Sequence, residues 1–295
     1  MYKGMVSCII PTYKRSETLI RAVNSVLNQT YKNIEVIVVD DNNPNDENSL
    51  IVQERLANIS DSRLRYIQQK EHINGAVARN VGIKAANGEF IAFLDDDDEW
   101  INYKLEKQIK KLNENPDYGG ISCLYTFYKN NIPYRKCEPY NDENLHRKVL
   151  NRTVSIFTSS VVLRKTCLDE SGYFNESLKR HQDLQLLLDF LYNNKILVLN
   201  EYLLKINTEL GTNRPNVYNF IKIKEDFFKN ITKHFELYTK KEQVQIMNAH
   251  YFEIILIAIR EKNIPIIFKY ISKIGINIES YKHLYVRFKS RKNKV

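Results

Sequence analysis

The sequence predicts an α/β fold: a mostly parallel sheet flanked by helices, with a small helical region at the C-terminus. Three observations carry that expectation. Short apolar runs alternate with amphipathic helical stretches through the first hundred residues, the pattern of βαβ units. Most of those runs stop at a proline or at a cluster of acidic residues. Beyond Pro215 the strand-like runs cease, and Lys, Ile, Phe and Tyr recur at helical spacing.

The elements follow in order. Val6, Ser7, Cys8, Ile9 and Ile10 form an apolar run ended by Pro11, which reads as a buried strand. Ser16 and Glu17 open a helix in which Leu19, Ile20, Val23, Val26 and Leu27 share a face. A second buried strand covers residues 35–39 and stops at Asp40-Asp41-Asn42-Asn43-Pro44. A polar helix then carries Leu50, Val52 and Leu56. Residues 64–68 read as a third strand, 76–86 as a helix and 90–94 as a fourth strand. After Trp100 a long amphipathic helix carries Leu105, Ile109 and Leu112; 159–163 is a further strand and 183–191 a leucine-rich helix. A soft boundary near residue 215 separates an α/β domain over 1–215 from a basic helical region over 216–295. The sheet is expected to be Rossmann-like, with ligands bound beyond the carboxyl ends of its strands.

Bulk properties narrow the function. The chain has 295 residues, 43% of them hydrophobic and 27% charged, a globular composition. Its net charge of +9 favours an anionic partner, and nucleic acid has only that charge in its favour. Cys8, Cys123, Cys137 and Cys167 form no CxxC pair, which argues against zinc and against a disulfide framework and suits a reducing cytoplasm. The first strand begins too early for a signal peptide to precede it, and no apolar stretch approaches the ~20 residues of a membrane span.

The chemistry gathers at the strand ends. Asp95-Asp96-Asp97-Asp98 follows the buried run Phe90-Ile91-Ala92-Phe93-Leu94, and four adjacent carboxylates call for a neutralising partner. A hard divalent cation, Mn²⁺ or Mg²⁺, suits them and leaves positions for phosphate oxygens. If the segment is extended, Asp95 and Asp97 face the same side. The plainer reading is an acidic loop in which Asp97 or Asp98 caps the next helix. Asp40 and Asp41 can accept hydrogen bonds from a ribose or a base, or form an Asx turn with Asn42 and Asn43. Pro11, Thr12 and Tyr13 offer backbone groups, a hydroxyl and an aromatic face that suits a nucleobase or a protein rim equally. Asn74-Gly75-Ala76 opens a helix bearing Arg79, and a cation beside a helix N-terminus suits a diphosphate; no GxGxxG or GxxxxGK[ST] loop is present. Asp183, after Arg180-His181-Gln182, reads either as a helix-capping acid or as a general base held at a loop-to-helix junction.

Taken in order, these segments resemble glycosyltransferase family 2, the inverting enzymes of the A-type nucleotide-diphospho-sugar transferase fold. The resemblance runs from about residue 5 to about residue 200. It is carried by Val6-Ser7-Cys8-Ile9-Ile10-Pro11-Thr12-Tyr13-Lys14-Arg15, Ser25-Val26-Leu27-Asn28-Gln29-Thr30-Tyr31 and Glu35-Val36-Ile37-Val38-Val39-Asp40-Asp41. It continues through Arg79-Asn80 and Phe93-Leu94-Asp95-Asp96-Asp97-Asp98-Glu99-Trp100 to Gly172-Tyr173-Phe174 and Gln182-Asp183. The resemblance implies a donor half over about 1–100 and an acceptor half over about 101–215. Pro11, Thr12, Tyr13, Arg15, Asp40, Asp41, Arg79, Asp95 and Asp96 would then meet a nucleotide-sugar donor, with a leaning to UDP. Asp95 and Asp97 would be the DxD carboxylates, Asp97 the direct metal ligand, and Asp183 the catalytic base.

Two departures stand out. Gln182 replaces a frequent Glu before the base, and Lys205-Ile206-Asn207-Thr208 stands where many members place a metal-binding histidine. The absence of a QxxRW motif favours addition of a single sugar to a glycan or lipid-linked glycan, as in bacterial surface-polysaccharide synthesis. From Tyr281 onward Lys282, Arg287, Lys289, Arg291, Lys292 and Lys294 accompany aromatic residues, which suits peripheral contact with anionic lipid at the inner face of the cell membrane. Two rival readings are a non-catalytic nucleotide-sugar or glycan-binding module, which needs no base, and a nucleotidyltransferase, which needs a glycine-rich triphosphate loop that 11–15 lacks.

Overall fold

The structure, a computed structural model, describes residues 1–208 and 215–274. Among these, nine strands form one sheet in the order β3-β2-β1-β4-β8-β6-β9-β5, with β7 paired to β6. The first four are β1 (Tyr2–Thr12), β2 (Ile34–Asp40), β3 (Leu64–Gln68) and β4 (Gly88–Phe93), all mutually parallel. Helices α1 (Ser16–Leu27), α2 (Glu47–Ala57) and α3 (Gly75–Ala85) cross over between them. Apolar side chains alternate above and below: Val6, Cys8 and Ile10 enter one core, while Ile9 packs into the other. Helix α3 lies close on β1 because Gly82 has no side chain; a Cβ there would come within 2.4 Å of Ile9 Cγ2.

The second half is more mixed than a parallel βαβ pattern. β8 (Val161–Arg164) runs antiparallel between β4 and β6 (Gly120–Lys129), after a 3₁₀ turn at Thr158–Ser160. β9 (Ile196–Asn207) then pairs parallel with β6. Neither β9 nor the edge hairpin of β6 with β7 (Ile132–Lys136) is signalled by clean alternation in the sequence. The hairpin does carry a local signature: Asn130 and Asn131 both adopt positive φ, 50° and 61°, as a two-residue primed turn requires.

One expectation about the acidic run fails. Asp95 to Asp98 do not cap the next helix, because β5 (Glu99–Trp100) intervenes and pairs antiparallel with β9. Helix α4 (Lys104–Asn113) begins later, and its N-cap Tyr103 makes no side-chain cap.

The remaining helices are α5 (Leu145–Leu150), α6 (Lys165–Ser171), α7 (Gln182–Asn193), α8 (Val217–Asn230), α9 (Thr232–Phe235), α10 (Lys240–Arg260) and α11 (Ile264–Ile274). Phe227, Ile231 and Ile246 pack into the core shared by α5 and α7. Val217, Phe252, Ile255 and Tyr270 form a separate cluster. Among the described residues no helix is long and apolar enough to cross a membrane. The basic segment 281–295 lies outside the described residues.

At the edge of the sheet away from the strand ends named above, Glu35 ties strands together. It accepts from Ser7 Oγ at 2.6 Å, from Asn87 N at 2.6 Å and from Arg65 Nη1 at 2.6 Å. Burial pushes this carboxyl up, but those hydrogen bonds win and hold it below its ordinary value of 4.5. The unfolded chain therefore binds the proton more readily, so the contribution is complete above 4.5 and is lost as pH falls through the depressed value. Urea titrations across acid pH should show Glu35→Gln removing that acid-side loss, and costing about 1–3 kcal/mol near neutrality. Parallel pH profiles for wild type and variant would refute the assignment.

Candidate active site

Parallel pairing sets Thr12 beside Asp40 and Ile9 beside Phe93, so the ends of β1, β2 and β4 open on one edge. There, Pro11, Thr12, Tyr13, Arg15, Asp41, Arg79, Asp95 and Asp96 line a single cleft of about 310 Å³. His72 and Gly75 complete its wall. The fold thus brings together residues 84 positions apart in the chain, as the Thr12–Asp96 contact illustrates.

Asp41 forms the floor on the β2 side. Its carboxylate accepts from Ile73 N at 3.0 Å and lies 3.0 Å from His72 Nδ1, with the Gln69 amide also bonded to it. Burial raises its pKa against the pull of Ile73 and His72. The imidazole of His72 stacks on Tyr13, with ring centroids 3.8 Å apart and planes within 10°. One face of Tyr13 is therefore already covered. Nothing in the sequence around Lys70-Glu71-His72 marks this histidine; only the crossover from β3 to α3 carries it to Tyr13. Asp40, by contrast, turns into the protein, accepting from Asn42 N at 2.9 Å and Tyr66 Oη at 2.7 Å. It serves the turn and does not line the cleft.

The acidic run is a turn, closed by Asp98 N donating to Asp95 O at 3.0 Å. The expected extended alternation of Asp95 and Asp97 is absent, and the side chains diverge. Asp95 pairs with Arg79 Nη2 at 2.5 Å, and its N–H donates to Ser159 Oγ at 3.1 Å. Asp96 accepts from Thr12 Oγ1 at 2.8 Å. Arg15 bridges Asp96, at 3.1 Å, and Asp97, at 2.7 Å. Asp98 is buried and accepts from Asn207 N at 3.2 Å.

Burial dominates the electrostatics here. It pushes Asp96 up to about 7 despite Arg15, and raises Asp97 and Asp98, which Asp95 raises further. The arginines do not fully compensate the run. Among the described residues no three His, Cys, Asp or Glu side chains converge into a ready-made metal shell. Asn207, at the end of β9, donates from Nδ2 to Asp97 O at 2.9 Å, and its Oδ1 is buried with no partner.

Asp183 stands outside the cleft lining, in the first turn of α7, partly exposed. The helix starts from His181, which occupies the left-handed region at φ 62° and provides no side-chain cap. Gln182 Nε2 reaches Leu178 O at 2.5 Å and Asn74 Oδ1 at 3.4 Å. Asn74 in turn caps α3, accepting from Ala76 N and Val77 N. The amino ends of α3 and α7 therefore meet beside Arg79.

Comparison with known proteins agrees with this arrangement. The model of the family described as glycosyl transferase family 2 matches residues 7–170. An Escherichia coli relative, UDP-Glc:alpha-D-GlcNAc-diphosphoundecaprenol beta-1,3-glucosyltransferase WfgD, is 33% identical over 200 residues, covering 66% of this chain and 73% of that protein. An uncharacterised glycosyltransferase of Rickettsia conorii is 31% identical over 219 residues, covering 72% of this chain; the match spans only 35% of that longer protein. Among solved structures, S. aureus TarS 1–349 in complex with UDP-GlcNAc superposes with a TM-score of 0.63 at 23% identity, over 83% of this chain and 72% of that one. The mannosyltransferase PcManGT from Pyrobaculum calidifontis, in complex with GDP-Man and Mn²⁺, gives 0.57 at 16% identity, over 98% and 74%. Those two likenesses establish the A-type fold. With the family's match spanning more than half of the chain, and the ordered strand-end residues gathered in one cleft, the protein belongs to glycosyl transferase family 2.

Proposed function

We propose that the protein is an inverting glycosyltransferase that moves a sugar from a UDP-sugar donor to a hydroxyl of a glycan or lipid-linked glycan in surface-polysaccharide synthesis. The observation that carries this reading is the cleft itself: an aromatic pair and a buried carboxylate at one side, arginines and carboxylates at the other. Tyr13, His72 and Asp41 suit a nucleoside, and Arg15 and Arg79 beside the amino end of α3 suit a diphosphate. The donor and acceptor in the name of WfgD, and the amylovoran biosynthesis glycosyltransferase AmsB of Erwinia amylovora among its relatives, support a UDP-sugar and a polysaccharide setting.

In this reading the acceptor oxygen attacks the anomeric carbon in a single displacement while Asp183 takes its proton. The glycosidic bond to the diphosphate breaks as the new one forms, so configuration inverts. Arg79 and Arg15 hold the departing diphosphate, and Thr12 keeps Asp96 in place. A divalent cation fits the chemistry of the donor set once Asp95 and Asp97 turn from Arg79 and Arg15 toward one another: both supply hard oxygens, and the buried Oδ1 of Asn207 beside them has no partner. Mn²⁺ or Mg²⁺ held there would supply charge neutralisation to the leaving nucleoside diphosphate.

Thermal unfolding with a panel of nucleotides and nucleotide sugars, with and without Mn²⁺, tests the reading. A UDP-sugar at 100 times its Kd should stabilise the protein by about 2.7 kcal/mol, more strongly with the cation. Stabilisation by nucleoside triphosphates alone would favour a nucleotidyltransferase, and no response to any nucleotide sugar would remove the proposal. A donor that binds without ever being hydrolysed or transferred would indicate a binding module. The basic segment 281–295 would bring the enzyme to anionic lipid at the inner membrane face; vesicle co-sedimentation unchanged by its deletion would dismiss that part.

A further inference from the structure

A second cavity, of about 360 Å³, opens beside the β6–β7 hairpin. Tyr125 and Phe127, two apart on β6, present the same face, and Phe157 meets both. The Tyr125 and Phe157 centroids lie 4.8 Å apart at 86°, and those of Tyr125 and Phe127 lie 5.4 Å apart at 90°. Tyr125 is buried behind the other two and donates its hydroxyl to Ser155 O at 3.1 Å, so Phe127 and Phe157, both partly buried, are the rings the cavity offers to an apolar partner. Arg135 lies over Phe127, its Cζ 4.0 Å from the ring centroid. Among the described residues it makes no ion pair with a carboxylate, so a charge is held in place on an aromatic platform with its N–H edge unused.

The rest of the lining leaves the cavity with more cations than carboxylates. Lys136 and Arg152 also line the cavity, against the carboxylates Glu138 and Glu253. Glu253 is occupied by Lys224 and by Arg152 at 3.4 Å. One wall residue leads by the backbone toward the candidate active site. Phe157 is two residues, at most about 7 Å of backbone, from Ser159, whose hydroxyl accepts from Asp95 N at 3.1 Å. On the same edge, Tyr128 of β6 pairs with Asn207, which bonds to Asp97 and Asp98.

We propose that this cavity is an acceptor subsite for an anionic saccharide, with a sugar ring packed against Phe127 and Phe157 and a phosphate or uronate carboxylate paired with Arg135. A sugar ring offers apolar C–H faces to aromatic walls, and guanidinium pairs with either anion through a two-pronged hydrogen bond. The subsite rests on the glycosyltransferase reading, and it places the acceptor's charge away from the arginines that hold the donor.

The test is binding of small probes to the full chain, followed by NMR or calorimetry: N-acetylglucosamine 1-phosphate, a glucuronate-containing disaccharide and neutral methyl N-acetylglucosaminide, with UDP-GlcNAc as donor control. Wild type should prefer an anionic probe to the neutral one. Arg135→Ala should weaken that probe by about tenfold and Arg135→Glu by more, with UDP-GlcNAc binding unchanged in both. Preference for the phosphate would point to the head of a lipid-linked acceptor, preference for the uronate to an acidic glycan. Equal binding of neutral and anionic probes, or an Arg135→Glu protein that binds them as wild type does, overturns the subsite while donor binding persists. Loss of donor binding in wild type itself would instead strike the functional reading beneath it.

Discussion

Asp183→Asn is expected to lower the transfer rate by about 10²–10⁴-fold while leaving donor affinity within about twofold of wild type. The amide keeps the size and most of the hydrogen bonding of the carboxylate but cannot take a proton. Asp183 lies outside the cleft lining, partly exposed in the first turn of α7, and Gln182 ties that turn to Asn74 at the start of α3. A structural capping role predicts a different pattern. The cap residue is His181, not Asp183, so loss of the carboxylate should cost little stability. Steady-state kinetics together with donor calorimetry separate the two. Full retained activity removes Asp183 as the base; lost donor binding with a lowered Tm would make it a structural acid.

The cleft of this protein is legible in sequence because its acidic and proline-bearing pieces end strands. A buried apolar run followed by Pro11, Asp40 or Asp95 gives both the strand and the side on which its end opens, and parallel pairing does the rest. What could not be read was orientation within a turn. Asp40 and Asp41 are neighbours, yet one turns inward to Asn42 and Tyr66 and the other toward His72 and Ile73. The same holds for Asp95 to Asp98, where a closed turn replaced the assumed extended segment. His72 was invisible because its role depends on a crossover length, not on a residue pattern. The long β9 lacked alternation because its first half, Leu197 to Glu201, is only partly buried, and its pairing to β6 shifts register twice. Asn207 gained meaning only from that pairing, which sets it against the acidic run.

Asp97→Asn should weaken the Mn²⁺-dependent part of donor affinity by more than about tenfold, at least the loss seen when a mere outer-shell partner of a metal is removed. The same variant should be no less stable than wild type without ligand. Both halves follow from charge. Burial raises the Asp97 pKa and Asp95 raises it further, so its ionised form is disfavoured in the folded chain. A neutral amide relieves that repulsion. Against this stands the contact with Arg15 at 2.7 Å, but the arginine side chain is 41% exposed, and such pairs contribute only about 0–1 kcal/mol. Arg15 also keeps its second partner, Asp96. A carboxylate kept for stability would behave in the opposite way, with a lower Tm and an unchanged response to the cation. Calorimetric titration of UDP-sugar with and without Mn²⁺, beside thermal unfolding of the free protein, reads both quantities. An Asp97→Asn protein whose donor affinity still rises with Mn²⁺ as in wild type would transfer the ligand role away from Asp97, leaving Asp95 and Asn207 to carry it.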